Sequence, residues 1–219
     1  MRILVLFSGS GSVERVFREI YPEAEVVSID IDSKSAATWI IDVRDFVQTQ
    51  LYQFSEGFFT VIWASPPCTE YSRAMTGPRP RDLDKADELV SATFACIMYL
   101  KPRYFCIENP EGLLRKRPLM QPYSPYLRPV SYCRYGTLFQ KNTCLWTNLP
   151  IQELHVCTKG TPCKYRKVLG HHVQTAQSGP AGDTPGSGAG KNVHFIPRRL
   201  LKTLFAPEVL LSPEELDYR

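Results

Sequence analysis

The feature that most constrains the fold is an apolar strand that runs directly into two prolines and a cysteine. Residues 58–64 are nearly all apolar, which is typical of a buried strand. Pro66 and Pro67 end that strand, because proline has no N–H for a ladder. Cys68 therefore follows a strand's carboxyl end, where open α/β sheets bind ligands. A thiol on a rigid turn suits a nucleophile, although a small buried cysteine would give the same pattern.

Strand and helix patterns alternate along most of the chain, which predicts an α/β fold with a doubly wound, mostly parallel sheet. The predicted strands cover residues 2–7, 25–29, 39–41, 58–64 and 103–107, with two antiparallel strands at 128–133 and 143–147. The predicted helices cover residues 12–20, 45–54, 84–100 and 196–205. In the helix at 84–100, the spacing predicts a buried face made of Leu89, Val90, Phe94, Ile97 and Met98.

Composition shifts divide the chain into three parts. We expect a core domain over residues 1–147 and a small basic appendage, rich in Cys, His and Gly, over residues 148–191. The Gly/Ser/Pro-rich stretch at 176–191 predicts a flexible tether. A closing helix and an acidic tail over residues 192–219 are expected to pack back on the core.

Polar residues follow several of the predicted strands. The Gly-rich turn at 7–12 leads into a helix, so its backbone can approach a ligand closely. Asp30 ends the second strand about twenty residues later, where an acid can bond ribose hydroxyls. Asp32 is an alternative as a helix N-cap, and both roles are compatible. Glu108 ends the fifth strand, so it should share one rim of the sheet with Cys68.

The remaining composition describes an intracellular protein. The chain has 219 residues, and no apolar run approaches the ~20 residues that a membrane helix requires. The apolar start at residues 3–7 is too short for a signal peptide. We therefore expect seven reduced cysteines and a location in the cytoplasm, the nucleus or an infected host cell.

Positive charge is concentrated in one part of the sequence. Between residues 112 and 182 there are ten Lys or Arg side chains and one acid, Glu153, with aromatic residues interleaved. That pattern is typical of a surface that meets a polyanion, and its alternative is a basic solvated face. The loop at 73–83 adds three arginines beside Cys68 and could close over a substrate.

Taken in order, these motifs resemble the S-adenosylmethionine-dependent cytosine-C5 methyltransferases, and most closely the short phage- and virus-type DNA cytosine methylases. The resemblance covers roughly residues 4–147 and is carried by Pro66-Pro67-Cys68 together with Glu108-Asn109. It implies a class I methyltransferase-like fold, S-adenosylmethionine as cofactor and DNA as partner. Separately, we expect a monomer. RNA as the substrate and a catalytically silent nucleic-acid-binding relative are the alternatives.

The resemblance also implies roles for individual residues. Catalysis falls to Cys68 as nucleophile, Glu108 as its carboxylate partner, and Lys141 where the family usually has an arginine. The implied cofactor-binding residues are Phe7, Ser8, Gly9, Gly11, Asp30, Ile31, Asp42, Val43 and Pro66. The implied substrate-binding residues are Ser65, Pro67, Ser72, Asn109, Arg115 and Arg117. The chain departs from the family pattern at Ser65, Pro110, Lys141 and Thr143.

A second candidate site lies in the Cys/His-rich appendage. Cys157, Cys163 and His172 have side chains that zinc prefers, and Cys133 or His155 could complete four ligands. Few apolar residues lie between 148 and 175, so a metal would help to order that segment. A loop of surface cysteines and histidines is the alternative. Residues 172–177 resemble a segment of the short phage-type enzymes, which favours His172 over its neighbour His171.

Overall fold

The computed structural model describes residues 1–151, 153–174 and 195–211, which form a seven-stranded sheet with helices on both faces. The strands are β1 Arg2–Leu6, β2 Glu25–Asp30, β3 Trp39–Ile40, β4 Val61–Ala64, β5 Tyr104–Pro110, β6 Leu127–Ser131 and β7 Asn142–Thr147. The helices are α1 Ser12–Ile20, α2 Val43–Thr49, α3 Leu83–Leu100, α4 Lys164–Leu169, α5 Arg198–Leu204 and α6 Pro207–Leu210. Short 3₁₀ turns lie at Leu51–Gln53, Leu114–Lys116, Pro118–Tyr126 and Tyr132–Tyr135.

The strand order is β3-β2-β1-β4-β5-β7-β6, and the first five strands are parallel. Only β7 runs antiparallel to its neighbours β5 and β6. The doubly wound, mostly parallel fold predicted from the sequence is therefore confirmed. Because the order reverses between β1 and β4, a crevice opens at the carboxyl ends of these two strands.

The central strands are buried on both faces, and their side chains alternate between two cores. Leu4 and Leu6 point into the core shared with α2 and α3, whereas Ile3 and Val5 point into the core shared with α1 and α5. This period of two is the ordinary consequence of the pleat. In the second core the ring of Phe205, just past α5, lies 4.3 Å from that of Phe17 in α1.

Several details differ from the sequence predictions. The fifth strand continues through Pro110, which pairs with Thr143, so Glu108 and Asn109 lie inside β5 instead of beyond it. Asp32 caps a turn through the Lys34 N–H and begins no helix.

Met98 was predicted to be buried but is 67% exposed, because α3 covers the sheet with a narrower apolar stripe. The tether predicted at 176–191 and the end of the acidic tail lie outside the described residues. All seven cysteines lie within the described ranges and are free thiols. No helix among the described residues is long and apolar enough to cross a membrane.

Candidate active site

A cleft of about 250 Å³ opens at the carboxyl ends of β1, β4 and β5. One wall is the turn after β1, and the other is the Pro-Pro-Cys turn after β4. The lining residues include Phe7, Ser8, Gly9, Asp30, Ser65, Pro66, Pro67, Cys68, Glu108 and Lys141. The structure thus brings the three predicted catalytic residues into one cleft with part of the predicted cofactor site.

The turn that carries Cys68 is fixed from two sides. Asn109, fully buried in β5, donates a hydrogen bond from Nδ2 to the Pro66 carbonyl at 2.9 Å. On the other side, the loop after β5 passes directly against Tyr71, and a Cβ at Gly112 would lie 2.3 Å from the Tyr71 carbonyl oxygen. Only glycine permits this approach. The observed contact of Asn109 positions the nucleophile's turn, and its predicted contact with a substrate stays a prediction.

Burial raises the pKa of the Cys68 thiol above its ordinary value. The positive charge of Lys141 opposes this shift, and the carboxylate of Glu108 adds to it. The thiol is therefore mostly protonated in the free protein at neutral pH, and Lys141 is the nearby group that favours the reactive thiolate.

Glu108 is 5% exposed and receives a hydrogen bond from the Tyr132 hydroxyl at 2.8 Å. The Nζ atom of Lys141 lies 3.7 Å from the same carboxylate oxygen, Oε1, and 4.8 Å above the Tyr132 ring. Three parts of the chain therefore hold this carboxylate: β5, the turn after β6, and Lys141 just before β7. In the sequence Tyr132 is one of several aromatic residues in the basic stretch, and nothing there indicates this contact.

The turn after β1 has an unusual backbone. Phe7 adopts a left-handed φ of 61°, a conformation that costs a non-glycine residue about 1–2 kcal/mol and that clusters at functional sites. The N–H of Gly9 donates to Asp30 Oδ2 at 2.6 Å, which joins the turns after β1 and β2. Asp30 Oδ1 accepts the Asp32 N–H at 2.8 Å.

A buried acid that the sequence analysis missed lies beneath this turn. Glu14 on α1 is 3% exposed, and its Oε1 accepts a hydrogen bond from the Ser8 hydroxyl. Its Oε2 is buried without a hydrogen-bond partner among the described residues. Burial raises the pKa of Glu14. Acids at such a helical position are usually exposed to solvent, so nothing in the sequence indicates that the Glu14 side chain is buried.

The remaining predicted cofactor residues do not line the cleft. Ile31 follows β2 and is 70% exposed, which leaves its side chain accessible at the rim. Asp42 caps α2, and hydrogen bonds from the Arg44 side chain lower the pKa of its carboxyl. Val43 is buried at the start of α2, and Gly11 is the left-handed N-cap of α1. Their roles in cofactor binding stay predictions.

The predicted substrate residues divide into two groups. Ser65 and Pro67 line the cleft, and the Ser65 hydroxyl accepts a hydrogen bond from Trp63. Ser72 caps the N–H of Ala74 within the 73–83 loop.

The two predicted arginines are paired with acids. Arg115 pairs with Glu111 at 2.9 Å. Arg117 bonds Asp87 at 2.7 Å and Asp84 at 3.0 Å, and these contacts tie it to α3. Contact of either arginine with a substrate stays a prediction.

The structure also gathers the predicted metal ligands. Ligand atoms of Cys133, Cys157, Cys163 and His172 all lie within 4.8 Å of one another, and the three cysteines are buried. Of the two alternatives for the fourth position, Cys133 is thus the one that joins the cluster. His155 is exposed and stacks on Tyr135, with ring centroids 6.2 Å apart.

The strand order and the cleft at the switch point define a class I methyltransferase-like fold. A family model for C-5 cytosine-specific DNA methylases matches residues 1–121. The chain is also 32% identical over 163 residues to a protein of Frog virus 3 (isolate Goorha) named "Probable DNA (cytosine-5)-methyltransferase". That match covers 68% of this chain and 71% of the viral protein. The chain belongs to the C-5 cytosine-specific DNA methylase family.

A similar solved structure is a prophage-encoded Escherichia coli protein assigned as a DNA modification methyltransferase. The two are 15% identical with a TM-score of 0.48, and the match covers 72% of this chain. The chain spans about half of that protein, 53% of its length.

Proposed function

We propose that the protein transfers a methyl group from S-adenosylmethionine to C5 of cytosine in DNA, through a covalent adduct on Cys68. The observation that carries the proposal is the meeting of Cys68, Glu108 and Lys141 in one cleft, opposite the turn after β1. A thiol, a carboxylate and a cation are the groups that an addition to an electron-poor ring requires.

The residues at the first wall fit S-adenosylmethionine. The backbone turn at Ser8 and Gly9 opens on the cleft, and Asp30 lies beside it at the end of β2, where a ribose can be bonded. Ile31 offers an exposed apolar side chain to an adenine ring. When bound, the cofactor supplies an electrophilic methyl group.

The chain's own residues carry the rest of the chemistry. The Cys68 thiolate adds to C6 of cytosine, and the electron pair of the C5–C6 double bond becomes available at C5 to take the methyl group. We expect Glu108 to hold a proton against N3 of the ring. A base then removes the C5 proton, the double bond re-forms, and the thiolate leaves. The positive charge of Lys141 favours the Cys68 thiolate both when it adds to the ring and when it leaves.

A cytosine stacked in a duplex cannot reach a half-buried thiol, so the base must turn out of the helix. The phosphates would then lie against the basic surface. In the 73–83 loop, Arg79 is paired with Glu70 at 2.5 Å, and Arg81 donates to the backbone carbonyls of Ser72 and Met75. Arg73 is 60% exposed and pairs with Glu111 at the longer distance of 3.7 Å, so it is the arginine of this loop that can most readily exchange its partner for a phosphate.

The test is a transfer assay with methyl-labelled S-adenosylmethionine and duplex DNA, single-stranded DNA or RNA, followed by mass spectrometry of the nucleosides. We expect label in 5-methylcytosine from DNA, and loss of labelling in Glu108→Gln. Glu56→Gln is the control for the loss of a carboxylate, because Glu56 pairs with Lys101 on the surface and does not line the cleft.

Labelling of RNA alone would contradict the proposed substrate. DNA binding without labelling of either polymer would contradict the proposed activity and favour a silent nucleic-acid-binding relative.

A further inference from the structure

We infer that Cys133, Cys157, Cys163 and His172 form a structural zinc site that fastens the appendage to the wall of the catalytic cleft. The site itself does not depend on the proposed function. Its effect on catalysis does rest on that function.

The distances between the four ligand atoms are close to those of a tetrahedral zinc site. Zinc bonded to sulfur at about 2.3 Å and to nitrogen at about 2.0–2.1 Å in a tetrahedron places sulfur and nitrogen about 3.6 Å apart. The Cys157 Sγ and His172 Nε2 atoms are 3.5 Å apart. All four ligand atoms lie within 4.8 Å, so a contraction of about 1 Å would complete the tetrahedron.

Backbone and side-chain hydrogen bonds already hold the ligands in place. The Cys163 N–H points at the Cys157 sulfur at 3.3 Å, and the Cys157 N–H donates to Ser131 at 3.0 Å. Arg134 donates to the Pro162 carbonyl at 2.7 Å, which fixes the residue before Cys163. Outer contacts of this kind orient metal ligands and tune their affinity.

Little else holds this part of the chain. The three buried cysteines form a small cluster of their own, with Tyr165 packed against them. The helix that follows, α4, has no buried residue, and Val168 and Leu169 are exposed. Without a metal the segment would be ordered by few apolar contacts, and a bound zinc would supply the missing free energy.

The site adjoins the catalytic groups. Cys133 is the next residue after Tyr132, whose hydroxyl bonds Glu108 and whose N–H donates to the Lys141 carbonyl at 3.0 Å. Gln140, the residue before Lys141, donates to the Cys157 carbonyl at 3.1 Å. A metal that fixes Cys133 and Cys157 therefore braces both segments that hold Glu108 and Lys141.

The experiment measures zinc in the full chain, purified in reducing buffer without chelator, by elemental mass spectrometry. His172→Ala is the test variant, because this half-buried ligand can be removed without opening a core. His171→Ala is the matched control, since its neighbouring imidazole is exposed and lies outside the cluster. Zinc is then replaced by Co²⁺, whose visible absorption spectrum reports the type and geometry of the ligands.

We expect about one zinc per chain in the native protein and in His171→Ala, and a tetrahedral Co²⁺ spectrum with thiolate charge-transfer bands. His172→Ala should lose zinc to a competing chelator at a concentration about 100-fold lower. No stoichiometric zinc after reconstitution, or equal loss in both histidine variants, would overturn the inference. Zinc without methyl transfer would contradict only the proposed function, and methyl transfer without zinc only this inference.

Discussion

Replacing Tyr132 by phenylalanine removes one hydroxyl and leaves the buried ring in place. That hydroxyl donates to Glu108 Oε1 at 2.8 Å, and neither residue is more than 5% exposed. Burial and the neighbouring carboxylate raise the pKa of Tyr132, so it stays a hydrogen-bond donor at any working pH. A hydrogen bond to a charged group contributes about 1.5–3 kcal/mol. We therefore expect the rate of adduct formation to fall roughly 10- to 150-fold.

Single-turnover trapping on DNA measures this rate, while calorimetry measures the binding of S-adenosylmethionine, which should not change. Tyr135→Phe is the matched control, because Tyr135 lies in the same 3₁₀ turn and its hydroxyl accepts the His155 N–H away from the cleft. If Tyr132→Phe slows the reaction no more than Tyr135→Phe does, Tyr132 does not position Glu108 and the reasoning is refuted.

Three further perturbations have outcomes fixed by the structure. Lys141→Met removes the charge that opposes the raised pKa of Cys68, so the rising limb of the pH–rate profile should move to higher pH, whereas Lys141→Arg should leave it nearly in place. The pKa of Glu14 is raised in the folded state. Its contribution to the free energy of unfolding is therefore complete below its unfolded-state pKa and is lost as the pH rises through its folded-state pKa. In denaturant unfolding, the free energy of unfolding of Glu14→Gln should therefore exceed that of the native chain by an amount that grows from pH 4 to pH 8. A difference that stays constant with pH would contradict the burial of a neutral acid. Arg117→Ala should lower the free energy of unfolding by about 1–2 kcal/mol, because it breaks the pairing with Asp87, and should leave DNA affinity nearly unchanged; the reverse pattern would make it a DNA contact.

The elements with strong periodicity were predictable from the sequence. The helix expected at 12–20 is α1, with Val13, Val16 and Phe17 buried, because its apolar residues recur at helical spacing in a window with no breaker. The Pro-Pro-Cys turn was predictable for the same local reason, since two prolines leave a strand few alternatives. In both cases the information lies within a few neighbouring residues.

What the sequence did not predict depends on long-range contacts. Glu14 resembles any solvated helical acid until the turn that carries Ser8 closes over it. Tyr132 meets Glu108 only because β6 and β7 fold back beside β5. Arg117 looked available to a phosphate, but α3 presents acids to it. No local pattern marks such pairs, because their partners are 6–33 positions away.

The most direct measurement of the central claim is covalent trapping on duplex DNA that contains 5-fluorocytosine at the target position, with S-adenosylmethionine present. A base can remove a proton from C5 but not a fluorine, so the thiolate is not eliminated and the enzyme stays covalently attached to the DNA. We predict a denaturation-resistant adduct with the native chain and with Cys96→Ser, since burial raises the pKa of Cys96 to about 12 and keeps it inert. Cys68→Ser should form none. An adduct that survives in Cys68→Ser, or that maps to another residue, would contradict the assignment of Cys68 as the nucleophile.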